Sequence, residues 1–152
     1  MYRVLFILLI STISNNAIAD AKTFYSQRLT KELPLTAQPL ATVSAQTYQQ
    51  SVDHNGQDLL FSQRYYQDDT FAKGKNSPVL LYICGESVCH PSSLKGAIAE
   101  HAKKIGAYLV SLEHRFYGES RPFPTMTTAN LKYLTVDLAL KDLTAFQKWF
   151  TK

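Results

Sequence analysis

A serine, a histidine and an acid stand within eight residues of one another in the stretch LVSLEHRFYGES, residues 109–120. These are the residue types of acyl transfer through an activated hydroxyl, in which a base takes the hydroxyl proton and an acid orients the base. An apolar run, residues 108–112, stops abruptly at Glu113, His114 and Arg115, and Tyr117, Gly118 and Ser120 follow at once. A nucleophilic serine of the Gly-x-Ser-x-Gly kind needs a sharp strand-to-helix turn, and its glycines admit the strained backbone and the close helix. Two segments approach that pattern. GESVC places Ser87 two residues after Gly85, with Cys89 in place of the second glycine; GESRP places Ser120 two residues after Gly118, with Pro122 there. A proline-rich loop rather than a helix follows Ser120, which therefore lacks the elbow's geometry; both serines are discounted as nucleophiles, and Ser87 stays only as the candidate of an alternative reading.

His114 directly follows an apolar strand-like run, and a base needs a nucleophile within hydrogen-bond reach. With the local serines discounted, it reads as an oriented structural residue. Arg115, a cation at the carboxyl end of a central strand, calls for a carboxylate partner. Glu113, Glu119 and Glu86 are the candidates, and such a pair fixes the loop carrying Tyr117 and Gly118; the alternative is an exposed arginine. Cys84, Gly85 and Glu86 follow the first buried run. Glycine lets a backbone approach a substrate closely, so Gly85 and Glu86 are candidates for the loop that donates a backbone N–H to an oxyanion. The competing reading is that Gly85 only makes the turn.

Cys84 and Cys89 lie five residues apart. In an exported chain they can form a disulfide, and closing so small a loop contributes on the order of 2 kcal/mol. A metal site built on Cys84, Cys89 and His90 lacks a second pair of ligands. No metal and no cofactor are therefore expected.

The elements that must position these residues begin after an export signal. Arg3 supplies a positive start, residues 4–10 an apolar core, and Ala17 and Ala19 the small residues a signal peptidase requires. Residues 1–19 thus read as a signal peptide, too short for a stable membrane span, and the mature protein is expected in a periplasm, a lumen or the medium. Residues 20–47, with Pro34 and Pro39, read as an extended lead-in. The formal net charge of +4 is mild and its lysines and arginines are dispersed, which argues against nucleic-acid binding.

From residue 48 the pattern is regular. Residues 48–53 and 59–66 flank Asn55-Gly56 and read as a hairpin, with Leu59, Phe61 and Tyr65 on one face. PVLLYI, residues 78–83, and AYLVSL, residues 107–112, are continuous apolar runs, as strands buried on both faces read. Between them Ser92 or Ser93 can cap a helix reaching Lys104, its apolar face formed by Leu94, Ala97, Ile98, Ala102 and Ile105. Strand, helix and strand at this spacing predict a parallel βαβ unit. Thr135 caps a last helix in which Val136, Ala139, Leu140, Leu143, Phe146 and Phe150 recur at helical spacing. The fold class is α/β: an antiparallel hairpin followed by βαβα, in residues 48–152.

Five ordered blocks carry a resemblance. VDH at residues 52–54, FSQRY at 61–65, PVLLYICGE at 78–86, LEHRFYGES with Pro122-Phe123, and NLKYLTVDLALKDLTAF at 130–146 resemble the serine exopeptidases typified by lysosomal Pro-Xaa carboxypeptidase and dipeptidyl peptidase II. This chain departs from the family's helix pattern at Leu138, where the family has glutamine. The resemblance implies an α/β-hydrolase fold and a Ser-His-Asp triad that cleaves short peptides, usually beside proline. It places the nucleophile in a Gly-Gly-Ser-Tyr elbow one strand beyond the last helix, with the acid and histidine later still. None of the three has a counterpart in residues 1–152. The expectation is therefore the N-terminal half of such a sheet, inactive by itself and cut before the elbow. Peptides are its substrates once a downstream segment completes it, and EHRFYGES is scaffold beside the site. The alternatives are a non-catalytic secreted binding protein and a short hydrolase using Ser87. Without a strand beyond it, the uncharged run VLLYI would form an open sheet edge that self-associates.

Overall fold

The computed structural model describes residues 43–56 and 59–152. The signal sequence over residues 1–19 and the lead-in as far as residue 42 lie outside the described residues. Four strands make one mixed sheet in the order β1-β2-β4-β3. They are β1 (Ala45–Ser51), β2 (Leu60–Asp68), β3 (Val79–Ile83) and β4 (Tyr108–Leu112). β1 and β2 pair antiparallel from Ala45↔Tyr66 to Ser51↔Leu60, and β2 continues antiparallel onto β4 through Tyr65↔Leu112. β3 and β4 run parallel from Val79↔Tyr108 to Ile83↔Leu112. The helices are α1 (Ala97–Ile105), the short α2 (Thr128–Leu131) and α3 (Val136–Phe150). None of the described helices is long and apolar enough to cross a membrane.

β4 is the centre of the sheet, and its residues are divided between two cores. Leu109 packs with Tyr66, Leu80, Cys84, Cys89 and Leu94 on the face covered by α1. Val110 and Leu112 pack with Tyr65, Val79 and Phe146 on the face covered by α3. Successive strand residues point to opposite faces, so a strand covered on both sides must be apolar throughout, as YLVSL nearly is. Its Ser111 hydroxyl lies 3.8 Å from the Cys89 sulfur. On the α3 face the aromatics interlock, with Phe146 edge-on to Tyr65 at 5.2 Å and to Tyr48 at 5.6 Å. β3 lies at the edge of the described sheet, and Tyr82 on it is exposed.

Several sequence expectations shift. The first strand starts at Ala45, three residues earlier than Tyr48, so the end of the lead-in is part of the sheet. Leu59 is exposed and burial on that face of β2 begins at Phe61, because β2 itself starts at Leu60. The helix expected from Ser92 or Ser93 is two pieces. Residues Pro91–Leu94 form a single 3-10 turn, and α1 begins only at Ala97 after Gly96, whose φ of 69° breaks the helical path. Leu94 is still buried at 1 % exposure, so the turn keeps the contact that the longer helix was expected to make, while Ile105 is exposed. The C-terminus of α1 does fall at Gly106, which takes the left-handed conformation at φ 69°.

Helix α3 is capped by the Thr135 hydroxyl, which accepts from the Leu138 N–H. The face it buries agrees with the expected one at Phe146, with Leu143 and Phe150 packed beside it, and departs from it in the first half. Val136 and Leu140 are exposed, and Leu138, Asp142 and Phe146 are buried at i, i+4 and i+8. Leu138, where the resembling family has a glutamine, therefore packs inward.

Candidate functional site

The carboxyl ends of β3 and β4 feed the loops that carry most of the sequence-level candidates, and open α/β sheets bind ligands at that end. Two buried ionic clusters organise this region. The first is centred on Glu113, one residue past β4 and fully buried. Its Oε1 accepts from the Arg64 guanidinium and from the Cys89 N–H at 2.9 Å. Its Oε2 accepts from the Glu119 N–H at 3.0 Å, the Ser120 N–H at 3.1 Å and the Ser120 hydroxyl at 2.8 Å. A carboxylate removed from water needs such donors to remain ionised.

Burial pushes the Glu113 carboxyl up, and the bonds from Arg64, Cys89 and Ser120 outweigh it and hold it below the ordinary range. Burial likewise lowers the Arg64 guanidinium while Glu113 raises it, with a net upward displacement. A depressed carboxyl contributes stability that is fully present above its unfolded value, about 4.3, and is lost as pH falls through the folded value. Denaturation of the wild type and of Glu113→Gln, compared from pH 7 down to pH 3, should show this. The wild type is expected to lose more stability below that value than the variant does; parallel profiles would remove Glu113 from the acid response.

Ser120 is fully buried, and its hydroxyl both donates to Glu113 and accepts from the Arg64 N–H at 2.8 Å. An oxygen held on both sides in this way has no base to activate it. Phe116, at φ 70°, and Gly118, at φ 51°, fold residues 113–120 into a closed turn, clasped by the Phe116 N–H on the Ser120 carbonyl at 2.8 Å. A Cβ on Gly118 would fall on the Glu113 carboxylate, which is why glycine stands there.

The second cluster is centred on Arg115, fully buried, and all of its donors are used. Nε donates to Asp142 Oδ2 at 2.7 Å and Nη2 to Asp142 Oδ1 at 2.6 Å, a two-pronged pair. Nη1 donates to the carbonyls of Val52 and Tyr133, both at 2.9 Å, and Nη2 to that of Ser51 at 3.2 Å. The guanidinium also lies 5.7 Å from the Phe61 ring centre. His54 Nε2 completes the Asp142 shell at 2.7 Å. The partner of Arg115 is thus Asp142, and not Glu113, Glu119 or Glu86. Glu113 is filled by its own donors, Glu119 meets the cluster through its N–H, and Glu86 is exposed. A chain of buried amides links the clusters. The Gln63 amide donates to the Glu113 carbonyl at 2.8 Å, and the Gln50 amide donates to Gln63 at 2.9 Å and to the Asp142 carbonyl at 3.1 Å.

The other candidates stand apart from these clusters. His114 donates its Nδ1 proton to the Arg115 carbonyl at 2.8 Å and meets the Tyr117 ring edge-on at 5.4 Å. Gly85, Glu86 and Ser87 are exposed in the loop after β3, with the Ser87 N–H on the Gly85 carbonyl at 2.8 Å. Cys84 and Cys89 are joined in a disulfide with their Cα atoms 5.6 Å apart, which leaves neither thiolate to hold a metal with His90. Among the described residues no group of three histidines, cysteines or acids is placed to hold a metal ion. The structure therefore brings Glu113 and Ser120 together, and Arg115 with Asp142, but pairs no serine with a histidine among these bonds. Sequence reasoning missed Asp142, Arg64, Gln50, Gln63 and His54. An acid between Leu138 and Phe146 on an otherwise apolar helix face was the available signal for Asp142.

Residues 50–152 match the family described as serine carboxypeptidase S28. Among curated proteins, the chain is 39% identical over 105 residues to the Probable serine protease EDA2 of Arabidopsis thaliana, covering 68% of this chain and 21% of that protein. It is 40% identical over 84 residues to the human Thymus-specific serine protease, covering 55% and 16%. It is 36% identical over 104 residues to the Lysosomal Pro-X carboxypeptidase of Pongo abelii, covering 62% and 20%. The chain spans about a fifth of the length of the curated relatives it matches.

Proposed function

We propose, from the premise that the chain belongs to the serine carboxypeptidase S28 family, that residues 48–152 are the first part of the catalytic domain of an exported serine peptidase. The reaction is hydrolysis of short peptides beside proline, through an acyl-enzyme formed on a serine outside the described residues. The sheet is then the start of an α/β-hydrolase sheet, and the outer edge of β3 is where its next strand belongs. Left uncovered, that edge is also the surface through which separate copies would associate. Export is supported by the composition of residues 1–19, by the disulfide and by the relative named as lysosomal.

One observation carries the division of labour. The serine, acid and histidine that look catalytic in residues 113–120 are committed to scaffold bonds: Ser120 to Glu113 and Arg64, and His114 to a backbone carbonyl. What this part supplies is rigidity. Two buried charge clusters at the carboxyl ends of the parallel strands hold the loops that border the place where substrate binds in such sheets. Gly85 and Glu86, exposed at the end of β3, remain the candidates for a backbone contact to the oxyanion.

Labelling the full-length protein with a serine-reactive fluorophosphonate tests this reading. The label is expected on a serine outside residues 43–152, with turnover of Xaa-Pro peptides, and Ser87→Ala is expected to keep both. A label on Ser87, lost in that variant, would overturn the proposal in favour of a short hydrolase. No label and no turnover would leave a non-catalytic binding protein.

A further inference from the structure

The loop after β3 and the loop after β4 meet at one hydrogen bond, from the Cys89 N–H to the Glu113 carboxylate. Residues 85–88 between the two cysteines are all exposed, so no side chain of that segment anchors it in the core. The anchors are the two half-cystines, at 5 % and 2 % exposure, the Cys84 N–H on the Leu112 carbonyl at 3.0 Å, and the Cys89 backbone, whose carbonyl takes only a long bond of 3.3 Å from the Tyr66 hydroxyl. On the other side, the same carboxylate holds the Glu119 and Ser120 N–H groups. The disulfide therefore fixes the donor, the donor neutralises part of a buried charge, and that charge clasps the turn of residues 113–120.

We propose that the Cys84–Cys89 disulfide and Glu113 form a redox-responsive coupling between these two loops. With the disulfide intact, Cys89 stays on Glu113 and both loops are held. Reduction by a dithiol breaks the protein S–S bond and delivers two electrons and two protons to give two thiols, while the sulfurs of the reductant join in its own disulfide. Residues 85–88 then gain freedom that no packed side chain of their own opposes, and Cys89, still packed in the core, is no longer tied to Cys84. Glu113 loses a donor, and the 113–120 turn loosens in turn. Coupling is reciprocal: removing the charge of Glu113 must also make the disulfide easier to reduce. The inference does not depend on the peptidase reaction proposed above.

Hydrogen exchange of the full-length protein, followed peptide by peptide with and without a dithiol, reads this directly. After reduction, verified by alkylation of both thiols, the amides of Cys89, Glu119 and Ser120 are expected to exchange about tenfold faster, the scale of one charge-assisted hydrogen bond. Those of β4 should stay protected. Cys84→Ser with Cys89→Ser should reproduce the pattern without any reductant. Glu113→Gln should shift the disulfide about tenfold toward thiols at a fixed dithiol ratio. The coupling is overturned if faster exchange stops at residues 84–90, or if β4 opens with the loops as one global loss of stability. An unchanged reduction equilibrium in Glu113→Gln would overturn it as well.

Discussion

Replacing Arg115 by methionine is expected to cost about 3–5 kcal/mol, the scale for removing one partner of a buried ion pair. The change strips Asp142 of both guanidinium bonds and leaves a carboxylate at 3 % side-chain exposure with His54 as its remaining side-chain partner. It also deprives the carbonyls of Ser51, Val52 and Tyr133 of their guanidinium donor. Chemical denaturation of the full-length variant, with soluble yield alongside, measures the loss. Arg115→Met combined with Asp142→Leu separates charge from packing. An apolar pair of similar volume often restores stability at such sites, so the double variant should recover much of what the single one loses. A single variant within about 1 kcal/mol of wild type would mean that the cluster carries little.

Gly118→Ala is expected to be nearly as damaging, by about 2–4 kcal/mol, from left-handed backbone strain and steric displacement together. The φ of 51° disfavours a side chain there, and the added Cβ would meet the Glu113 carboxylate and, at 2.8 Å, Arg64 Nη2. Relief requires the carboxylate to move, which breaks its bonds to Cys89, Glu119 and Ser120. Gly85→Ala is the control, since a Cβ at Gly85 finds nothing within 4 Å; its effect should stay within about 0.5 kcal/mol. Equal losses for the two substitutions would show that the damage at residue 118 does not come from Glu113.

The strands at residues 78–83 and 107–112 were legible as contiguous apolar runs, although only β4 is covered on both faces and Tyr82 on β3 is exposed. The place of Ser120 outside the elbow pattern was legible too, since Pro122 and the following loop exclude the helix that the elbow needs. The start of α1 was not: Ser92 and Ser93 are good caps in isolation, and only the positive φ of Gly96 between them and Ala97 splits the segment. The buried face of α3 was read correctly only in its second half. Apolar periodicity selected Phe146, with Leu143 and Phe150, which do pack on the core, but it also selected Val136 and Leu140 where Leu138 and Asp142 are buried. Arg115 announced that it needed a carboxylate, but nothing local could show that the carboxylate lies 27 residues further on. Partners of that kind are set by tertiary packing, which a linear pattern does not encode.

The amide chain has a consequence for the order in which the protein is made. Gln50 on β1 bonds the Asp142 carbonyl across 92 residues of sequence, and Arg115 likewise joins Ser51, at the end of β1, to Asp142 on α3. At a synthesis rate of about 5–20 residues per second, the polar side chains of β1 wait roughly 5–20 s for the helix that satisfies them. A nascent chain cannot bury Gln50, Gln63 or Arg115 without cost during that interval. The hairpin is therefore expected to stay open on this face until α3 emerges, with closing of the sheet following the last described helix.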